Sequence, residues 1–189
     1  YEGNSANDTG GAVYSTDLGN CIVINNSANY GGGISEGSIS NCTIIGNFAY
    51  TSGGGSYNGT FRNTIIYSNA ANSPQANYSG GTFTYSCTQP LPSGTGNFTN
   101  APRFDGASWM LSSNSPCIDA GFEYGLTSDY DGQARPLDGN NDGLAKSDVG
   151  AFEYLNGAAD SDGDGLSDAD EIGTHQTNPA NSDTDGDGM

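Results

Sequence analysis

Short apolar runs recur along the first part of the chain, and the same polar residues follow each of them. The runs at 21–24, 42–45 and 64–67 are rich in β-branched residues and too short to form helices. An asparagine follows each run, an alanine lies two positions further on, and a partial copy opens the chain. The equivalent asparagines are Asn4, Asn26, Asn47 and Asn69, with spacings of 22, 21 and 22 residues. Such a fixed period predicts a solenoid.

Two further short elements accompany each run. One follows a glycine cluster, at 11–14, 33–34 and 81–83, and the other carries Leu18, Ile39 and Phe61 at matching positions. Three short strands per repeat, with glycine and asparagine at corners where φ must be positive, predict an all-β fold, a parallel β-helix of about 22 residues per coil. Neighbouring coils should pair at about 4.8 Å. Equivalent asparagines would then stack and share amide hydrogen bonds.

The regular part of the chain is expected to end near the middle. After Asn72 we expect the period to break, and residues 88–102, rich in Pro, Gly, Ser and Thr, should form a long loop. Apolar residues return at 101–104 and 108–111, and these are expected to form an irregular C-terminal cap over the core. The predicted organisation is therefore coils over 1–86, a cap over 87–155 and an acidic tail over 156–189.

The composition agrees with a thin solenoid core and reduces the number of partner classes that the chain could bind. Only 33% of the 189 residues are hydrophobic, which is low for a compact globule with one core. The net charge is −18, and this argues against binding to nucleic acid or anionic membranes. No transmembrane run or initiator methionine is present, and the chain begins within a coil, so we expect part of a longer protein. Seventeen of the 22 acidic residues follow Ile118, and this clustering favours cation binding.

The acidic tail carries the clearest chemistry. Residues 160–171 fit the pattern D-x-D-x-D-G-x-x-D-x-x-E, in which alternate carboxylates enter one loop and a glycine allows a sharp turn. Ca²⁺ suits this long loop better than Mg²⁺. Because no helix of useful length precedes the loop, a structural site is favoured over a regulatory EF-hand pair. The predicted ligands are Asp160, Asp162, Asp164, the Leu166 carbonyl, Asp168 directly or through water, and Glu171 with two oxygens.

Two further acidic segments are weaker metal candidates. Asp183, Asp185 and Asp187 begin the same loop 23 residues later. Asp138, Asn140 and Asp142 share the spacing but lack the closing glutamate, so a metal-free Asx turn explains them equally well. A merely solvated acidic tail would need six ligand-type positions in 160–171 to fall in register by chance.

Several strings in the chain resemble known families. The V/I-x-x-N pattern of the coils, at 23–26, 44–47 and 66–69, resembles polymorphic outer-membrane-protein repeats. The strings at 85–88, 96–98, 102–104, 115–121 and 148–154 resemble the bacterial choice-of-anchor Q domain. That resemblance covers about residues 1–155 and implies a right-handed parallel β-helix on a secreted or cell-surface protein. The tail resembles thrombospondin type 3 repeats.

The four cysteines allow two pairings. Cys87 and Cys117 lie in two of the strings that resemble the family, and we predict a disulfide between them. Cys21 and Cys42 occupy equivalent positions in adjacent coils, within disulfide range. For that second pair, two buried free thiols remain an open alternative. No cysteine or histidine spacing typical of zinc sites occurs.

These observations favour a non-enzymatic, calcium-binding structural protein outside the cell or on its surface. A polysaccharide lyase is the least supported class, because it needs a basic residue on a coil face and only Arg62 lies on a coil. Apolar residues on both strand faces, and a second acidic loop that another chain could complete, suggest self-association into a filament or surface layer. Equally, the rest of that loop and a cap for the first coil could lie in further parts of a longer chain. The alternative is a carbohydrate-binding adhesin module, which the coil tyrosines would serve. Calcium removal is expected to loosen the tail and leave the β-helix intact.

Overall fold

The computed structural model describes residues 1–106 and 108–183, and in these ranges the chain is nearly all β. Short parallel strands stack as a β-solenoid of about three turns with about 22 residues per turn. In chain order the strands are β1 (Val13–Tyr14), β2 (Leu18–Gly19), β3 (Ile22–Ile24), β4 (Ser27–Tyr30), β5 (Ile34–Ser35), β6 (Ser38–Ser40), β7 (Thr43–Ile45), β8 (Phe48–Ser52), β9 (Ser56–Tyr57), β10 (Thr60–Arg62), β11 (Ile65–Tyr67), β12 (Ala70–Ala71), β13 (Tyr78–Ser79), β14 (Thr82–Thr84) and β15 (Cys87–Thr88).

Each coil contributes strands to four sheets, not to the three that the sequence predicts. The first sheet is β1-β5-β9-β13, the second β2-β6-β10-β14, the third β3-β7-β11-β15 and the fourth β4-β8-β12, and all pairs are parallel. The fourth sheet is the one that the pattern missed. Its inward side chains are small, with Ala28 and Ala49 fully buried, so its strands carry no apolar run for a sequence pattern to detect.

The period continues past Asn72, and the predicted break there is wrong. Tyr78 pairs with Ser56, and Phe83 pairs with Phe61, each 22 residues later in the chain. The segment at 81–83 therefore belongs to the second sheet, together with Leu18 and Ile39, and not to the element after the glycine clusters. The predicted insertion around Pro74 is therefore absent, because the spacing between paired residues remains 22 across this segment.

The asparagine ladder is confirmed. The Oδ1 atom of Asn47 accepts hydrogen bonds from both the backbone N and the Nδ2 of Asn26, at 2.9 and 3.0 Å. Asn69 accepts the same pair from Asn47 at the same distances, and Asn26 accepts from Asn4. Asn77 extends the ladder although it lies only eight residues after Asn69. Each step from Asn4 to Asn69 links equivalent corners of consecutive coils.

A second column of hydrogen bonds shows what the thiols of two cysteines do in the coils. At the corner before the third sheet, a residue with φ of 45–50° precedes a small side chain that donates to the carbonyl two residues earlier. The donors are Cys21, Cys42, Thr64 and Ser86, with donor–acceptor distances of 3.1, 3.2, 2.8 and 3.0 Å. Cys21 and Cys42 are free thiols that close the corner as threonine and serine do in later coils.

The solenoid has apolar residues inside and on one outer face. The interior column of the second sheet includes Leu18, Ile39, Phe61 and Phe83, and the last two rings stack at 4.9 Å. Outside the third sheet lies a second core, formed by Ile65, Cys87, Leu111, Cys117 and Val149. Residues 98–154 thus cover the apolar outer face that the sequence offered for contacts between chains.

The predicted disulfide between Cys87 and Cys117 is not formed. Both residues are fully buried free thiols in this second core. The Cys87 thiol instead donates to the carbonyl of Asn100 at 3.2 Å. Burial raises the pKa of Cys117 well above its ordinary value, and the neighbouring Cys87 adds to the shift, so Cys117 stays protonated.

The tail contains the one helix of the described ranges, and the sequence did not predict it. An α-helical turn, α1 (Asp168–Asp170), continues directly into a π-helical turn at Glu171–His175. Ser167 caps its beginning and accepts the backbone N–H of Asp170 at 3.2 Å. No helix in the described part of the chain is long and apolar enough to span a membrane.

Candidate metal centre

Three aspartates of the tail converge on one point. Carboxylate oxygens of Asp160, Asp162 and Asp164 lie within 4.8 Å of one another. Glycines shape the loop around the first of them. The backbone N–H groups of Gly163 and Gly165, at φ of 76° and 97°, donate to the two oxygens of Asp160 at 2.8 and 3.1 Å. A β-carbon would strain both turns, which is why glycine occupies these positions.

The other two aspartates are oriented by their own backbone. Asp162 accepts the N–H of Asp164 at 3.2 Å, and Asp164 accepts the N–H of Leu166 at 2.8 Å. Both Asx turns use the Oδ1 atom of the carboxylate as the acceptor. The participation of the Leu166 carbonyl as a ligand stays a prediction.

Glu171 supplies the observation that distinguishes this loop from an ordinary acidic turn. Its side chain is completely buried, and its Oε1 accepts the hydroxyl of Thr177 at 3.2 Å. Its Oε2 is buried and has no hydrogen-bond partner in the described ranges. An unpaired buried carboxylate oxygen is costly unless a cation or donor reaches it.

The electrostatics of the loop also favour a cation. Burial raises the pKa of Glu171, and the charges of Asp162 and Asp164 raise it further. Burial likewise raises the pKa of Asp162, and Asp164 and Asp160 add to that shift, while backbone N–H groups oppose it. The three converging aspartates repel one another, Asp162 and Asp164 also repel Glu171, and a divalent cation among these groups would remove the repulsion.

Asp168 occupies a different position from the other predicted ligands. It is fully buried, and its two oxygens accept the backbone N–H and the hydroxyl of Ser161 at 2.8 and 2.7 Å. Its own N–H donates to Ala159 at 2.8 Å. Asp168 therefore braces the loop from outside the group of converging carboxylates.

The second acidic loop is described only at its beginning. Asp183 lies within the described residues, and its carbonyl accepts from the side chain of Asn181 at 3.1 Å. The backbone N–H of Asn181 opposes the rise in the pKa of Asp162, so the start of the second loop lies beside the first. Asp185 and Asp187 lie outside the described residues.

The weaker candidate at 138–143 forms a hydrogen-bonded turn. Asp138 is buried, and its oxygens accept the N–H groups of Asp142 and Gly143 at 3.1 and 2.7 Å. The N–H of Asn140 donates to Asp119 at 2.7 Å. This is the Asx-turn alternative. Among the residues that the structure describes, the only group of three acidic side chains that converges closely is the one at 160–164.

The strings at 115–121 and 148–154 meet inside the cap and build a buried charge network that the sequence did not reveal. Arg135 and Glu153 form an ion pair at 3.1 Å with both side chains inaccessible, without the alignment of a hydrogen bond. Glu153 also accepts the backbone N–H groups of Leu137 and Asp148 at 3.0 and 2.8 Å. The oxygens of Asp148 accept backbone N–H groups of both strings. These carboxylates hold the loops of the cap together through backbone hydrogen bonds.

An aromatic cavity of about 440 Å³ lies between the third sheet and the cap. Its aromatic lining is Tyr67, Phe104 and Trp109, and the last two rings meet edge to face at 5.6 Å. Elsewhere, Tyr14 and Tyr50 are more than half exposed but lie on different sheets, so the coils carry no single tyrosine stripe through them.

No protein-family model matches the chain, and neither curated proteins nor solved structures gave a match. The resemblances at 1–155 and in the tail therefore stay predictions.

Proposed function

We propose that this chain is a non-enzymatic, calcium-binding structural module of a secreted or cell-surface protein. One observation carries the proposal: three aspartates converge within 4.8 Å beside a buried glutamate oxygen that has no partner in the described ranges. The residues that would hold Ca²⁺ are Asp160, Asp162, Asp164, Glu171 and the carbonyl of Leu166. The cation would act structurally, by joining the loop to the helix that follows it.

Calcium suits this donor set for three reasons. All the donors are oxygens, the shell includes four carboxylates, and the loop is irregular enough for a shell of 6–8 ligands. Mg²⁺ demands near-octahedral geometry and retains its waters. We expect a dissociation constant of about 10⁻⁴–10⁻³ M, as in extracellular calcium modules.

Calorimetric titration of chelator-treated protein tests the proposal. Wild-type protein should bind Ca²⁺, and Asp162→Asn or Glu171→Gln should weaken binding at least roughly tenfold because each removes a ligand charge. Asp8→Asn is the matched control, since Asp8 is exposed and remote in sequence. Absence of Ca²⁺ binding at millimolar concentration would overturn the proposal.

The lack of a suitable base on the coils supports the non-enzymatic part of the proposal. Arg62 is the one basic residue there, and it is already engaged. Its guanidinium donates to Ser38 at 3.1 Å and lies over the ring of Tyr124, 5.7 Å from its centre. A reducing-end assay on pectin and alginate should detect no product, and release of sugar ends would contradict this part.

Carbohydrate binding is the second candidate, and the aromatic cavity favours it. Tyr67, Phe104 and Trp109 offer ring faces of the kind that pack against sugars, with Arg103 at the same cavity as a donor. Trp109→Ala should abolish retention on a glycan column that retains the wild-type chain, while Tyr14→Ala should not. If no glycan retains the wild-type chain, this candidate fails.

Self-association into a filament or surface layer is a further part of the proposal. The covered outer face of the third sheet no longer supports it, because residues 98–154 already occupy that face. The remaining support is general, since edges of parallel coils are pairing surfaces. Light scattering with and without EDTA tests it, and monodisperse monomers under both conditions would exclude the filament.

A further inference from the structure

The calcium loop is hydrogen-bonded to the cap through one serine. Ser161 lies in the loop between Asp160 and Asp162, and its hydroxyl donates to Asp168 at 2.7 Å. The same hydroxyl oxygen accepts the backbone N–H of Asp138 at 2.8 Å. One hydroxyl therefore connects the buried carboxylate that braces the loop with the turn that begins at Asp138.

That turn is itself tied into the β-solenoid cap. The carboxylate of Asp138 holds the N–H groups of Asp142 and Gly143. Asp119 holds Asn140, and the N–H of Asp119 donates to the buried carboxylate of Asp148 at 2.7 Å. A continuous chain of hydrogen bonds thus runs from the calcium loop to the buried network of the cap.

A second contact connects the same two regions. Asn156, just before the loop, donates its side-chain amide to the carbonyl of Gly139 at 3.2 Å. Beyond the loop, Ile172 and Pro179 face the turn at 127–134 across a cavity of about 350 Å³. The tail therefore lies beside the cap on both sides of the acidic cluster.

We infer that Asp168 and Ser161 are positioning residues that couple calcium binding to the folding of the cap. The inference rests on the proposed calcium site. Ca²⁺ bound by Asp160 and Asp162 would fix both neighbours of Ser161, and this holds its hydroxyl in place for Asp138. Coupling of this kind is reciprocal, so an ordered cap also strengthens calcium binding. Calcium removal then loosens residues 138–143 as well as the tail.

Ser161 and Ser167 offer a matched pair of variants. Both are serines of the same loop that hydrogen-bond an aspartate, but Ser167 bonds to Asp170 and has no described contact with the cap. Ser161→Ala removes the link, Ser161→Thr retains the hydroxyl, and Ser167→Ala controls for general loosening of the loop.

Hydrogen exchange with parallel calorimetry tests the coupling on the whole chain. In wild-type protein, Ca²⁺ should slow amide exchange at Asn140, Asp142 and Gly143 by roughly fivefold or more. Ser161→Ala should weaken Ca²⁺ binding by a similar factor and abolish the calcium effect on those amides. Ser161→Thr should restore both, and Ser167→Ala should leave the effect on those amides intact.

The possible outcomes distinguish a failure of the proposed calcium site from a failure of its coupling to the cap. If wild-type protein binds no Ca²⁺, the proposed function fails and the coupling with it. If Ca²⁺ binds but exchange at 138–143 does not change, the coupling is wrong and the calcium site stands. Equal effects of Ser161→Ala and Ser167→Ala on those amides would also overturn it, because the link would then be ordinary loop stability.

Discussion

Asn47 illustrates how single side chains hold the coils together. Its Oδ1 accepts two hydrogen bonds from Asn26, and its Nδ2 donates to Asn69 and to the carbonyls of Val23 and Ile45. With 1% of its surface exposed, it can replace none of these bonds with water. The sequence predicted the ladder because the spacing of the asparagines alone determines it.

Removal of one asparagine side chain from the ladder should therefore lower the free energy of unfolding substantially. Asn47→Ala leaves the buried amide of Asn26 without its acceptor, and we expect a loss of about 2–4 kcal/mol in the free energy of unfolding in urea. Asn29→Ala is the control, because Asn29 is exposed and makes one bond to Asn7, and it should cost under about 1 kcal/mol. Equal losses for the two variants would contradict the role of the ladder.

The four thiols differ from one another in burial, and their reactivity should differ accordingly. The hydrogen bond with Cys42 lowers the pKa of Cys21 to about 7, although partial burial opposes the shift. Cys21 is half-buried, whereas the other three cysteines are buried. Iodoacetamide should thus label Cys21 first in the native protein, with a rate that rises as pH passes through about 7. Mass spectrometry that found a disulfide, or first labelling at another cysteine, would contradict this.

At the scale of elements, the sequence predicted what repeats and missed what depends on distant contacts. The apolar columns and corners repeat, so the coil could be predicted. The fourth sheet escaped because its buried side chains are alanines. In the acidic loop at 160–171, the spacing identified the convergence of Asp160, Asp162 and Asp164. It could not identify the placement of Asp168, because that depends on a serine that is bonded to Asp138.

The cap as an element should respond to pH. Burial raises the pKa of Glu153 from 4.5 to about 7, and Arg135 opposes the shift. Asp148, beside it, shifts in the same direction. Because a raised carboxyl pKa means that the folded state favours the proton, the stabilisation is complete below pH 4.5 and is lost as pH rises through about 7.

The free energy of unfolding of calcium-free protein, measured in urea, should therefore be higher at pH 6 than at pH 8, by about 1 kcal/mol from Glu153. The fluorescence of Trp109, the single tryptophan, reports on the cap. Glu123→Gln is the control, since Glu123 is an exposed cap carboxylate bonded to Ser147, and it should leave the difference unchanged. A cap that becomes more stable between pH 6 and pH 8 would contradict the assignment.

At the scale of the whole molecule, the solenoid, the segment that covers it and the tail are connected in sequence, each one contacting the next. The solenoid presents an apolar outer face on its third sheet, and residues 98–154 cover it. The covering segment contains the turn at 138–143, and the backbone N–H of Asp138 in that turn donates to the hydroxyl of Ser161 in the acidic loop at 160–171. The tail is thus bonded to the part of the chain that closes the solenoid, and calcium would strengthen both.

The most direct test is anomalous diffraction from crystals grown with Ca²⁺. The account predicts one strong peak bonded to Asp160, Asp162, Asp164, Glu171 and the Leu166 carbonyl at about 2.3–2.6 Å, with Asp168 still bonded to Ser161. Absence of a peak at millimolar Ca²⁺ would contradict the calcium site, and a peak bonded directly to Asp168 would contradict its positioning role.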